Sequence, residues 1–329
     1  MKRKIIKQGH NTLTMTLPSD WVKKFNLNSG DEIELSEKDN GLFITTEKHN
    51  RHKQAEFSIE GLDIPLIWKY FMAVYREGYD EILVKFNPGV GLESPYKFFS
   101  HHKMDLRYKK EVQKKTIVEA LQGFVTRFIG LEIVEHGKDY IRIKEMGELT
   151  SKEFDNSLRR VFLLIQQMAE ETVEAIKTNN PKILLHMHDV DINLDKFHDY
   201  CIRILNKLGN KETRKTSLLF ATLYLLELLG DEFKSISFHL IEDFPKSRLN
   251  NVLYLAKAIK SQFDLYYDLF YKFDREKIRG MSEQDKKIYF SLPENYKKAN
   301  EDEKEVFHHL RMIRKYINAL YELRIEMEF

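Results

Sequence analysis

Leu13, Met15 and Leu17 alternate with Thr12, Thr14 and Thr16, the period of a half-buried strand, and Pro18, Ser19 and Asp20 then stop the strand and open a helix. Over residues 1–50 the same pattern predicts strands at 3–8, 12–17, 31–35 and 42–47 with a short helix over 19–25. Asp39-Asn40-Gly41 predicts a tight hairpin, because a type I′ turn needs positive φ at both central residues. So few residues bury little core alone, so this region is expected to complete one with a second copy of the chain.

Residues 54–147 alternate element types like a small α/β layer. Strands are predicted at 55–60, 80–86, 131–136 and 139–144, with helices at 64–77 (Leu66, Ile67, Tyr70, Phe71, Val74) and 111–128. The Gly-, Pro- and charge-rich stretch between residues 87 and 110 predicts a long loop.

From residue 150 the period becomes helical. Thr150 with Glu153 fits a capping box, and Phe154, Leu158, Val161, Ile165, Met168, Thr172 and Ala175 follow at spacings of four and three. Asn180-Pro181 predicts a new helix start, and Val190, Leu194, Phe197, Cys201, Ile204 and Leu208 its stripe up to Gly209. Leu226 to Leu240 and Leu249 to Phe270 mark two more helices. A last one opens at Asn300, with Glu303 in its capping box. Long two-in-seven stripes with short connections predict an antiparallel bundle over 150–329.

With 329 residues and 42% apolar content the chain is expected to be globular and divided into two or three domains. No apolar run reaches the roughly 20 residues that cross a bilayer, and the start lacks a signal peptide's apolar stretch, so the expected location is cytoplasmic and not integral to a membrane. One cysteine, Cys201, excludes an intrachain disulfide and fits a small buried apolar group. Charge is uneven: residues 1–24 carry six Lys or Arg against Asp20 alone, whereas residues 151–329 balance. That local excess points to a polyanionic partner at the N-terminus, or else to a lysine-protected strand edge. The stretch 96–115, with seven basic residues and interleaved aromatics, also suits single-stranded nucleic acid, or a solvated loop.

Two predicted helices carry acids four apart beside the apolar stripe: Asp191 with Asp195, and Glu227 with Asp231. Facing helices with this spacing can offer four carboxylates to a divalent cation (Mg, Mn, Fe or Zn); the alternative is a solvated acidic face. Gly230 beside Asp231 costs about 1 kcal/mol of helix propensity, which predicts a close approach there. His186, His188 and His198 are secondary candidate ligands. No Gly-rich phosphate loop, G-x-S-x-G or H-E-x-x-H occurs, so an enzyme is not indicated.

The stretch Arg3 to Thr45, centred on "RKIIKQGHNTLTMTLPSDWVKKFNLNSGDEIEL", resembles the SpoVT/AbrB/MazE swapped-hairpin domain. That resemblance implies an intertwined homodimer and DNA contacts from the first strand and short helix, at positions matching Arg3, Lys23 and Lys24; Lys4, Lys7 and His10, which follows the loop Gly9, join the candidate set. Residues 55–329 loosely resemble the archaeal type of PhoU, the phosphate-uptake regulator, through "YREGYDEILV", "IGLEIVE" and the acidic helices. It implies two three-helix repeats that bind metal clusters through E/D-x-x-x-D motifs, matched by Asp191, Asp195, Glu227 and Asp231 in the first repeat and by Asp264 to Asp268 in the second.

The resulting expectation is a multidomain α+β protein: a swapped-hairpin β-barrel domain (1–50), a small α/β domain (54–147) and a PhoU-like antiparallel bundle (150–329). Its expected function is phosphate-responsive regulation, with double-stranded DNA, a second copy and a phosphate transporter or sensor component as partners. Lys23 and Lys24 are expected to join the basic first strand in one cationic surface. The alternatives are a non-DNA scaffold or antitoxin-like module whose bundle holds a protein, and a carboxylate-metal enzyme.

Overall fold

Gly9, at φ +72°, turns β1 (Ile6–Gln8) back on β2 (Thr12–Thr14), pairing Ile6 with Thr14 and Gln8 with Thr12 in the computed structural model. The structure describes residues 2–38, 41–46, 53–89, 92–94, 113–147, 149–210, 212–242 and 249–329. The chain divides into two compact units, Met1–His52 and Lys53–Phe329.

In the first unit, α1 (Ser19–Phe25) follows Pro18, and β3 (Glu34–Lys38) pairs antiparallel with β4 (Gly41–Thr45). Lys38 opposes Gly41, so Gly41 opens β4 and is not a central residue of the turn as the Asn40-Gly41 signal predicted; Asp39 and Asn40 themselves lie outside the described residues. The expected strands at 3–8 and 12–17 shorten to three residues each, because Met15–Leu17 find no partner strand among the described residues. The two hairpins stay separate sheets, so one chain forms no closed barrel among the described residues. Among the described residues of this unit only Phe25 and Thr46 are buried, while Ile5, Ile6, Leu13, Leu35 and Leu42 are each more than half exposed.

The second unit begins with a four-stranded sheet ordered β5-β6-β10-β9: β5 (Gln54–Ser58) runs parallel to β6 (Glu81–Lys85), while β10 (Tyr140–Glu145) is antiparallel to both β6 and β9 (Leu131–His136). A two-stranded ladder, β7 (Leu92–Ser94) with β8 (Gln113–Lys115), precedes α3 (Ile117–Val125). The helix expected over 111–128 is therefore shorter, since Thr116 and Glu119 form a capping box that fixes its start at Ile117. On α2 (Ile64–Arg76) the buried line is Ile64, Ile67, Phe71 and Tyr75. Leu66 and Tyr70, expected inside, face out.

Six long helices follow: α4 (Ser151–Thr178), α5 (Met187–Leu208), α6 (Thr213–Glu242), α7 (Asn250–Tyr271), α8 (Arg275–Lys298) and α9 (Glu301–Glu326). The Thr150–Glu153 and Asn300–Glu303 capping boxes and the Gly209 stop are as expected, and all seven stripe residues of α4 are buried. Leu208, by contrast, is exposed. Asn180 caps only a 3-10 turn, Pro181–Leu184, so the next helix starts later than expected, at Met187. The sequence pattern missed α8: it buries only Met281 and Ile288 and carries Pro293, leaving almost no stripe to read. With α8 included, α4–α6 pack mutually, α7–α9 pack mutually, and the two groups join through α4–α7 and α6–α9.

Arg203 of α5 locks these helices to the α/β layer. Its guanidinium is fully buried and donates to the carbonyls of Tyr75 (2.7 Å) and Tyr79 (2.8 Å) and to Glu145 Oε1 (3.1 Å). Asn206 Nδ2 donates to the Arg76 carbonyl at 2.7 Å, so an α5 side chain satisfies the last carbonyl of α2. One hydrophobic core accordingly runs from the sheet into the helices.

Candidate functional site

The first unit offers a set of exposed cations. In α1 the Val22 N–H donates to the Pro18 carbonyl at 3.0 Å, and the helix closes on Asn26 at φ +50°, where the Leu27 N–H returns to Val22. Lys23 and Lys24 occupy the last turn, where cations complement the helix dipole, and Lys24 Nζ lies 5.4 Å from the Phe25 ring centroid. Lys7 stands opposite Leu13, His10 lies in the turn beside Gly9, and Arg3 and Lys4 precede β1. All six are exposed, and none of their side chains makes a hydrogen bond or ion pair with another described residue. Unpaired cations on short strands and a helix end are what sequence-independent phosphate contact requires. The basic, aromatic stretch expected to suit single strands lies largely outside the described residues.

In the second unit the acids on α5 and α6 do converge. Asp191 is buried, and its Oδ2 accepts from Lys234 Nζ at 2.8 Å; the same ammonium bonds Asp231 on its own helix. His198, further along α5, meets Tyr224 at 5.4 Å between ring centroids, so the two helices run antiparallel and Asp195 falls beside Glu227. Burial and the Asp191 charge push the Asp195 carboxyl well above its ordinary range. Burial, then Asp231, pushes Glu227 up to about 7. Burial alone would pull the Lys234 ammonium down, yet Asp191, Asp231 and Asp195 together hold it above its ordinary value. The close approach that Gly230 predicts is Leu194: a Cβ on Gly230 would lie 2.8 Å from Leu194 Cδ1.

Two members of this cluster were not legible as site residues. Asp199 continues the α5 acid line and pairs with Arg76 of α2 at 2.5 Å. Lys234 follows Asp231 by three residues and Glu227 by seven, a same-face spacing that was the available signal. The histidines do not join in ligation: His186 meets Glu171 at 3.1 Å and His198 meets Asp199 at 3.2 Å. Burial lowers His188, whose Nδ1 has no hydrogen-bond partner.

The donor set does not fit a resident metal. An ammonium already takes the Asp191 and Asp231 oxygens that a cation bridging α5 and α6 would need, and among the described residues no three His, Cys, Asp or Glu are arranged around a common ion position. At the second group of acids Asp264 is likewise held, by Lys260 at 2.9 Å and Gln166 at 2.8 Å. No described helix is long and apolar enough to cross a membrane.

The chain matches no curated protein and no solved structure. Residues 6–52 match the family described as antidote-toxin recognition MazE, bacterial antitoxin, so the first unit is a MazE/AbrB-type domain.

Proposed function

We propose that this protein is a homodimeric cytoplasmic regulator that binds double-stranded DNA through its first unit and a protein partner through helices α4–α9, acting by binding and not by catalysis. One observation carries it: the MazE/AbrB-type unit exposes both Ile5, Ile6, Leu13, Leu35 and Leu42 and six basic residues. Apolar side chains exposed in a unit this small call for a second copy, and the cations for phosphate. Arg3, Lys4, Lys7, His10, Lys23 and Lys24 are the proposed DNA contacts.

The link to phosphate, with a transporter or sensor component as partner, is supported by the two three-helix groups α4–α6 and α7–α9, the arrangement that a PhoU resemblance implies. The family match ends at residue 52 and does not bear on that link. A second reading, an antitoxin-like module without DNA affinity, is favoured by the antitoxin description of the matching family. Light scattering and fluorescence anisotropy with a labelled duplex separate the two: a dimer with salt-sensitive binding supports the regulator, and a dimer without DNA affinity supports the antitoxin-like module.

A further inference from the structure

The acid line on α5 has three members, Asp191, Asp195 and Asp199, and its two ends meet cations from neighbouring helices. Lys234 reaches across from α6 to Asp191, and Arg76 reaches from α2 to Asp199. Asp195, between them, has no ion-pair partner among the described residues, and burial disfavours the anion at Asp191, Asp195 and Glu227 alike. Lys234 is mostly buried, so its charge acts in a medium of low polarisability, and it ties two acids on two helices with one ammonium. The same device recurs where Lys260 of α7 meets Glu170 of α4 at 2.8 Å and Asp264 at 2.9 Å.

We propose that Lys234 is the built-in counter-cation of the α5–α6 acid cluster: it keeps divalent metal out of the native protein, and Asp191 and Asp231 become a divalent-cation site once its ammonium is removed. A hard cation needs the carboxylate oxygens at roughly 2–2.5 Å, and those oxygens are already spent on an ammonium that cannot stay beside a divalent charge. A free ion therefore competes with a tethered cation that has already lost most of its water. Take that cation away and two acids, one of them buried, face each other with no neutralising partner. In that state metal binding is the route to charge balance.

The test uses full-length protein purified without a tag, dialysed against EDTA and melted with or without about 1 mM Mn²⁺. The wild-type melting temperature stays within about 1 °C and elemental analysis finds no stoichiometric metal. Lys234→Ala melts below wild type in EDTA and gains roughly 3 °C or more with Mn²⁺, a gain that Asp191→Asn abolishes. Lys234→Arg keeps the cation and gains nothing. Lys234→Gln, closer in volume, supplies the same Mn²⁺ response if the alanine variant does not fold. Stoichiometric metal or a Mn²⁺-dependent rise in the wild-type protein overturns the proposal, as does a neutral variant at position 234 that gains nothing.

Discussion

Replacing Arg203 by Met tests whether the α/β layer and the helices are one folding unit. Met preserves much of the arginine stem's volume and removes the guanidinium. The part-buried Tyr79 carbonyl then loses its guanidinium donor, the Tyr75 carbonyl keeps the Gly78 N–H at 3.0 Å, and the guanidinium's packing over the Tyr75 ring, 4.9 Å from its centroid, is lost. Glu145 keeps a partner, because Lys207 Nζ lies 2.5 Å from its other oxygen. The orphaned Tyr79 carbonyl costs about 1–3 kcal/mol and the lost charge-assisted bonds to Tyr75 and Glu145 about 1.5–3 kcal/mol, so with both of those acceptors still partly satisfied the expected loss is about 3–5 kcal/mol in total. At roughly 2 °C per kcal/mol for a unit of this size, the melting temperature falls by about 6–10 °C. Urea unfolding followed by far-UV circular dichroism reads the loss. Arg279→Met, which breaks only an exposed pair with Glu276, is the control and shifts stability by less than about 0.5 kcal/mol. A loss below about 1 kcal/mol in Arg203→Met, or separate transitions for sheet and helices in the wild-type protein, would refute this account of the joint.

Lys23→Ala with Lys24→Ala should weaken binding across duplex sequences and flatten the plot of log affinity against log salt by about 2–4, counting two cations per protomer in a dimer; an unchanged slope removes these residues from the interface. Gly230→Ala should destabilise by about 1 kcal/mol, because a Cβ 2.8 Å from fully buried Leu194 outweighs the helix propensity gained. In a Leu194→Ala background the same change should stabilise, and equal effects in both backgrounds contradict the contact. Glu227 is held up to about 7 against an ordinary 4.5, so the native state binds more protons than the unfolded chain between those values. Stability should therefore fall as pH rises through that window, by on the order of 1–2 kcal/mol for this partly solvated group, and less so in Glu227→Gln. A flat wild-type profile there would count against it.

Periodicity exposed most of the architecture, and its failures have physical causes. The α4 stripe and the capping boxes at Thr150 and Asn300 were readable because burial and backbone satisfaction are local and repetitive. On α2, aromatic and aliphatic residues fill adjacent positions, so Leu66 and Tyr70 read as core although Ile67 and Phe71 are the ones buried. Helix α8 packs against α7 and α9 with most of its surface in solvent, and a helix that buries two apolar residues leaves no period. Among the acids the spacing located Asp191, Asp195, Glu227 and Asp231 on facing helices. It could not say that their counter-charge comes from Lys234, since that depends on which way α6 turns its faces. Nor could composition show that Arg203, one charged residue in an apolar stripe, reaches carbonyls far away in sequence.

The regulator account stands or falls on the first unit acting as a cationic dimer. The decisive experiment is a salt series of duplex-DNA affinity on the full-length chain, with the mass of the free protein taken by light scattering in the same buffers. The five Lys or Arg of the proposed contact set (Arg3, Lys4, Lys7, Lys23 and Lys24), doubled in a dimer, allow a log–log slope as steep as about −9, and engagement of half of them gives about −4 to −5. A dimeric mass with a slope of that order is the expected result; a monomer, or a chain whose DNA affinity is absent at low salt, would contradict it.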